Sequence, residues 1–318
     1  MTRNENLSKT VEEFKKRMES SIEGDFPVKM GVCLKKAFSD AVFHPGLFVT
    51  FTCTAASGSR RISREVAEHS MGLEYLYLSA AMQDKLYRTM ACLKDDGNSF
   101  DMTLSRLSVG SRGLSGIDGG SADGTASGSG IIDVFRNLCD SEINALNIRM
   151  ELLKSIKSKP GKKIAHYEYA EYARAAAPRI IGDAILIGNL LAGRKNSRGI
   201  EKAGEFLSSA FFMLQEQRRL ARSLESNSQN ACIFDVLPLY LMGGIEIPRS
   251  EGSSHFIKKS SLPAPAVCSD IIQSIRREAG TLFSSGAGLI EKEYGEKSRD
   301  LLNFAEMCRC GIERGVAL

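Results

Sequence analysis

A helical apolar rhythm runs through long stretches of this chain and is interrupted at two places. In "ISREVAEHSMGLEYLYLSAAMQDKLYRTMACL" (62–93) the inward stripe reads Val66, Leu73, Leu76, Ala80, Asp84 and Tyr87. After Leu73 the steps are three, four, four and three, which is one face of an α-helix. An acid at 84 therefore stands where the stripe should stay apolar. Lys85 and Arg88 flank it, and Asp84 and Arg88 have the i, i+4 order with the acid first that favours pairing. A second helix, "AGEFLSSAFFMLQEQRRLARSLES" (203–226), runs Ala203, Leu207, Ala210, Leu214, Arg218 and Ala221, and "QEQRR" (215–219) breaks it. Two long helices with polar breaks in mid-face predict a bundle around a central cavity.

The rest of the chain fits an all-α fold. Aromatic residues make up only 7% and Trp is absent, so Ala, Leu, Ile and Met carry the apolar load, as suits helices. Periodicity predicts about ten helices, near 5–22, 27–42, 46–57, 62–94, 130–158, 164–193, 198–226, 230–243, 265–292 and 296–314. "LFVTFTCTAA" (47–56) is rich in β-branched residues, but no partner strand lies nearby and it is read as helix. Pro178 is expected to kink the 172–193 segment. The run of eight glycines in "GSRGLSGIDGGSADGTASGSG" (110–130) predicts a flexible loop at about 109–130. A second irregular stretch, 247–266, is expected to cover one end of the bundle. Neither separates distinct compositions, so residues 1–318 read as a single domain.

Other functional classes find little support. The net charge of +4 is spread thinly over 318 residues, which argues against a nucleic-acid partner. The most apolar run, "AILIGNLLAG" (184–193), is too short to span a bilayer, and the N-terminal residues are polar with Leu7, Val11, Phe14 and Met18 at helical spacing. A cytoplasmic protein is expected. The eight cysteines show no metal or redox spacing, and Cys308 and Cys310 point apart on a helix, so free thiols are expected. His69 and His166 read as structural, and His44 and His255 have no second ligand nearby. Asp95 and Asp96 read as a solvated helix end. Gly188, Ala192 and Gly193 suit close helix packing, with a seam between subunits as one use.

Three segments together resemble a known family: "EYLYLSAAMQDKLYR" (74–88), "YARAAAPRIIGDAILIGNLLAG" (172–193) and "LSSAFFMLQEQRR" (207–219). In order and spacing, over roughly residues 25 to 314, the chain resembles the trans-isoprenyl diphosphate synthases. These all-α enzymes condense isopentenyl diphosphate with an allylic diphosphate. The resemblance implies two aspartate-rich motifs facing each other across the cavity. They would hold Mg²⁺ ions that bind the diphosphate and draw it away, with lysines and arginines on the remaining phosphates.

At those positions this chain departs from the pattern. Asp84 keeps the leading carboxylate of the first motif, while Lys85 and Arg88 replace the other two acids. Gln215, Glu216 and Arg219 stand for the three acids of the second motif, and Phe212 replaces the family's glutamine. Ala176 and Ala177 replace a phosphate-gripping Lys-Thr pair, and the basic segment near the start corresponds to "AVFHPGL" (41–47), whose only base is His44. A dication about 5 Å from an ammonium is repelled by roughly 6 kcal/mol at an effective dielectric of about 20. No catalytic residue and no metal are therefore expected in this chain. Its charges are expected to neutralise one another across the cavity, and Mg²⁺ is expected only in a catalytic partner.

The implied role is a non-catalytic, regulatory or structural subunit of a heteromeric polyprenyl diphosphate synthase. It would pair with a catalytic homologue as a heterodimer or heterotetramer, with self-dimerisation a second option, and support activity or set product chain length. Ser79 and Ala80 lie in the zone that sets chain length in active relatives. The alternatives are a divergent active prenyltransferase or terpene synthase of the same fold, and a metal-free prenyl diphosphate binding protein.

Overall fold

Segments with the three-four rhythm become eleven α-helices among the described residues of the computed structural model, which are 3–41, 43–92, 110, 126–158, 166–243 and 256–315. They are α1 (Arg3–Asp25), α2 (Val28–Ser39), α3 (Pro45–Ser57), α4 (Arg64–Cys92), α5 (Ala126–Ser158), α6 (His166–Ala176), α7 (Ile180–Leu191), α8 (Arg198–Glu225), α9 (Leu237–Gly243), α10 (Pro265–Tyr294) and α11 (Arg299–Arg314). One contiguous apolar cluster runs from Val11 to Ile312 and ties all of them together. The architecture is the expected all-α bundle. Among the described residues no helix is long and apolar enough to cross a membrane.

The centre is built from α3, α7 and α8. α8 packs along α10 and against α7, and α3 packs against α4 and α7. α3 is buried continuously from Pro45 to Thr52, so a helix apolar all round sits in the middle of the bundle. Its β-branched residues do not make it a strand, because packing overrides their propensity and no strand is available to pair with it. Thr50 and Thr54 turn their hydroxyls back onto the carbonyls of Gly46 and Thr50. Pro45 opens the helix at N1, and Gly58 closes it in the left-handed region at φ 72°.

Helix crossings in this centre depend on missing side chains. A Cβ added to Gly204 of α8 would lie 2.6 Å from Gly182 Cα on α7, and one added to Gly188 would lie 2.5 Å from Val49 O on α3. Gly188 thus serves contact inside the chain. Gly193 has φ 73° just beyond the C-cap of α7, and nothing lies within 4 Å of where its Cβ would be. Gly204→Ala must push α7 and α8 apart, and we expect a loss of about 1–3 kcal/mol in urea unfolding. Gly280→Ala on α10 meets nothing within 4 Å. It should gain about 0.5–1 kcal/mol by the same measurement, because glycine is a poor helix residue.

Two expected helices are divided. The 164–193 segment is α6 and α7, broken at 177–179, where Pro178 cannot donate to a helical ladder. The 230–243 segment opens with a strand, β1 (Asn230–Cys232), and becomes helical only at Leu237. β1 pairs antiparallel with β2 (Phe256–Lys258), with Ala231 opposite Ile257. Three-residue strands carry no detectable period. What fixes this ribbon is its setting at the end of α8, where Lys259 N donates to Gln229 O and Lys259 Nζ donates to Ser226 Oγ. The glycine-rich stretch is shorter than expected: α5 begins at Ala126, and residues 126–130 are helical. Residues 111–125, and 247–255 of the second irregular stretch, lie outside the described residues.

Candidate functional site

A cavity of about 150 Å³ opens between α4, α5, α7 and α8. Tyr77, Ala80 and Ala81 of α4 form one wall, Ile180 and Ile181 at the start of α7 form the floor, and Ala145 and Arg149 of α5 lie one turn apart. The α8 wall is the stripe Ser208, Phe211, Gln215 and Arg219, with Phe212 beside it. Steps of three and four keep these residues on one face, and the eleven helical rises from Ser208 to Arg219 extend about 16 Å. The wall is small or apolar at the Ser208 end and polar at the Arg219 end.

Glu216 lies one residue round from that stripe and faces the protein. It is 1% exposed, and its Oε1 sits 3.4 Å from Arg149 Nη2 and 3.3 Å from Arg219 Nη1. One carboxylate oxygen thus holds two guanidinium groups, one from α5 and one from its own helix. Arg149 also stands over the Phe212 ring at 5.7 Å, an attractive cation–π geometry. Tyr169 and Tyr172 of α6 close the back of this cluster. Burial, then the Glu216 charge, pushes both phenols up, and Arg149 opposes the shift at Tyr172. Both phenols stay protonated at neutral pH.

Gln215, Glu216 and Arg219 are thus brought to one place, two lining the cavity and one bracing it from behind. They do not fit a divalent cation. The one carboxylate of the three is turned away from the cavity and shared by two guanidiniums. Among the described residues no group of three or more His, Cys, Asp or Glu side chains could hold a metal. Asp84, Lys85 and Arg88 lie on α4 just beyond the cavity-lining Ala81, and their side chains lie outside the described residues. The charges of the two motifs were expected to cancel across the cavity and close it; instead Arg149, Glu216 and Arg219 pair beside an open cavity, and the other motif's side chains lie outside the described residues. Ala176 and Ala177 are buried core residues. The side chain of His166, and Asp95, Asp96 and His255, lie outside the described residues.

His44 does more than its loop position promised. It is the N-cap residue of α3, fully buried, with Nδ1 2.9 Å from Glu74 Oε1. The other oxygen of Glu74 accepts from Gly46 N at 3.1 Å. A carboxylate from α4 therefore sits at the positive end of the central helix, sealed by the rings of Phe38 and Phe14. His69 is likewise buried, with Nδ1 2.9 Å from Glu65 O. Cys33, Cys53, Cys232, Cys268, Cys308 and Cys310 are free thiols. Sequence reasoning missed Arg149, which belongs to no motif, and Asp183. The Asp183 side chain is 3% exposed on α7, its Oδ2 has no hydrogen-bond partner among the described residues, and burial raises its pKa to about 7 against the pull of Arg179.

No family model matches this sequence, and no curated protein matches it. Solved structures do resemble it. Geranylgeranyl pyrophosphate synthetase from the archaeon Geoglobus acetivorans superposes with a TM-score of 0.66 at 12% identity, covering 96% of this chain and 98% of that one. Heptaprenyl diphosphate synthase from Staphylococcus aureus gives 0.60 at 12% identity, with 96% and 98% covered. Geranylgeranyl pyrophosphate synthase from Corynebacterium glutamicum, in complex with calcium and isoprenyl diphosphate, gives 0.58 at 11%, with 96% and 97% covered. The chain has the all-α fold of the prenyl diphosphate synthases along nearly its whole length.

Proposed function

We propose that this chain works in isoprenoid biosynthesis as a non-catalytic subunit, pairing in the cytoplasm with a catalytic prenyl diphosphate synthase of the same fold. One observation carries the reading: Glu216, the surviving acid of the second motif, is buried and bound by Arg149 and Arg219. A carboxylate held in that way cannot turn to a Mg²⁺ ion without giving up its contacts to two guanidiniums, and the ion would then stand close to both cations. Lys85 and Arg88 make the first motif unfavourable to a dication on sequence alone. In this reading the whole chain, 1–318, is one helical unit whose use is its shape, and Mg²⁺ chemistry belongs to the partner. The partner supplies both carboxylate clusters, and this chain supports the partner's fold or bounds its product channel.

The test is co-expression with a catalytic prenyl synthase from the same cell, followed by gel filtration and product analysis. The expected result is a stable hetero-oligomer whose product length or rate differs from that of the catalytic chain alone. Separate elution together with unchanged products contradicts the proposal. A second reading, metal-free binding of a prenyl diphosphate, is favoured by one feature: two guanidinium side chains line an otherwise largely apolar cavity.

A further inference from the structure

We infer that one end of the bundle, formed by the α3–α4 and α7–α8 loops, is a docking face for an anionic lipid bilayer. The inference goes beyond the subunit role proposed above and does not depend on it.

Along the sequence the charge is thinly spread, but the fold gathers it. Residues 57–64 hold Arg60, Arg61 and Arg64, and residues 192–199 hold Arg194, Lys195 and Arg198, with no acid in either loop. The chain's +4 is therefore six positive charges on these two loops set against a net −2 elsewhere. All six residues are exposed.

Three contacts bring the loops to the same end. The second halves of α3 and α7 lie side by side, where a Cβ on Gly188 would meet Thr52 and Cys53. A 3₁₀ turn, Gly295–Ser298, follows α10, and its Lys297 Nζ lies 3.0 Å from where a Cβ on Gly58 would be. Just before that turn, Glu293 accepts from Ser197 Oγ at 2.9 Å and pairs with Arg194 at 3.5 Å.

Hydrogen bonds shape both loops. Asn189 of α7 donates to Lys195 O at 3.0 Å and to Asn196 Oδ1 at 2.9 Å, and the Tyr294 hydroxyl donates to Asn189 Oδ1 at 3.1 Å. The hydroxyls of Ser57 and Ser59 accept from Ser59 N and Arg61 N. Backbone needs are met within the loops, and the long cationic side chains reach solvent. Arg64 pairs with Glu68 and Arg194 with Glu293, but among the described residues Arg60, Arg61, Lys195 and Arg198 make no ion pair. Lys297 adds a further cation, and Glu65 and Glu296 are exposed acids beside it and Arg64 in sequence.

The chemistry of the face favours lipid headgroups. Protein interfaces are centred on aromatic or Arg anchors that fill pockets, and single-strand nucleic-acid grooves on stacking aromatics. Neither loop has an aromatic residue, and Ile62, the one large apolar side chain in them, is half-buried. A fluid headgroup layer rearranges to meet cations wherever they stand. Each basic residue near an anionic bilayer strengthens binding about five-fold. The rest of the surface is net negative and is repelled, so the molecule is held end-on.

The experiment is co-sedimentation of the purified full-length chain with phosphatidylcholine vesicles containing about 30% phosphatidylglycerol, in about 0.1 M salt. Binding should be at least about ten-fold tighter than to pure phosphatidylcholine, and about 0.5 M salt should abolish it. Arg60→Gln with Arg61→Gln, and separately Lys195→Gln with Arg198→Gln, should each weaken it about ten-fold or more. Arg276→Gln with Arg277→Gln removes the same charge from an exposed stretch of α10, about 24 Å before Glu293, and should leave binding unchanged. Every substituted residue is exposed, so each variant should keep the parent's Tm. No binding, equal binding to neutral vesicles, or an equal loss in the α10 variant overturns the inference. An effect of only one loop overturns it as well, because the face is built from both. Tighter binding to RNA or to polyglutamate than to the vesicles assigns the face to another partner and overturns it too.

Discussion

Replacing Glu74 with alanine should cost this fold about 3–5 kcal/mol, read as a lowered midpoint in urea at an unchanged slope. The carboxylate is fully buried and has two tasks at once. One oxygen meets His44 Nδ1 at 2.9 Å and the other accepts from Gly46 N at 3.1 Å. Truncation leaves both groups without a partner in a place water does not reach, and each orphan costs about 1–3 kcal/mol. It also removes negative charge from the N-terminus of α3, where a helix favours it. Compensation by movement is blocked: Gly46 already lies so close to α4 that an added Cβ would be 2.3 Å from Ser70 O. Glu74→Gln keeps the shape and one acceptor, and should lose only about 1–2 kcal/mol. If alanine and glutamine cost the same small amount, the carboxylate is not what holds α3 to α4.

Asp183→Asn should stabilise the protein at pH 8 and make almost no difference at pH 4. Burial raises the Asp183 carboxyl from 3.8 to about 7, with Arg179 working against the shift. Between those values the folded state keeps a proton that the unfolded chain has released. The folded state then binds more protons than the unfolded one, so stability falls as pH rises from about 4 to about 7 and is level above that. A displacement of that size corresponds to about 4 kcal/mol. Asparagine is neutral at every pH and removes the dependence. The check is a set of urea curves from pH 4 to pH 8 on both proteins. Parallel pH profiles would show that Asp183 is ionised in the fold.

Much of the fold could be read from helical rhythm, because a bundle writes its core on each helix separately. The stripe on α8 is an example, with Leu207, Ala210 and Leu214 buried as their spacing demands; on α4 Leu73 is buried, while Leu76 and Ala80 are half-buried. The same geometry explains the site. Gln215 and Arg219 are four apart and share the cavity face, while Glu216, about a hundred degrees round, does not. What could not be read was contact across distance. Arg149 reaches Glu216 over 67 residues and Glu74 reaches His44 over 30, and no local pattern marks either pair. The β1–β2 ribbon was hidden for a related reason, since its two short strands are defined by pairing with each other.

One assay tests the absence of catalysis in this chain most directly. The purified chain is incubated alone with isopentenyl diphosphate, an allylic diphosphate primer and Mg²⁺, and chain elongation is followed over a range of protein concentrations. With Glu216 held by Arg149 and Arg219, and Lys85 and Arg88 in the other motif, product should not rise above the protein-free blank at any concentration. Turnover that scales with this chain and survives further purification would contradict the account.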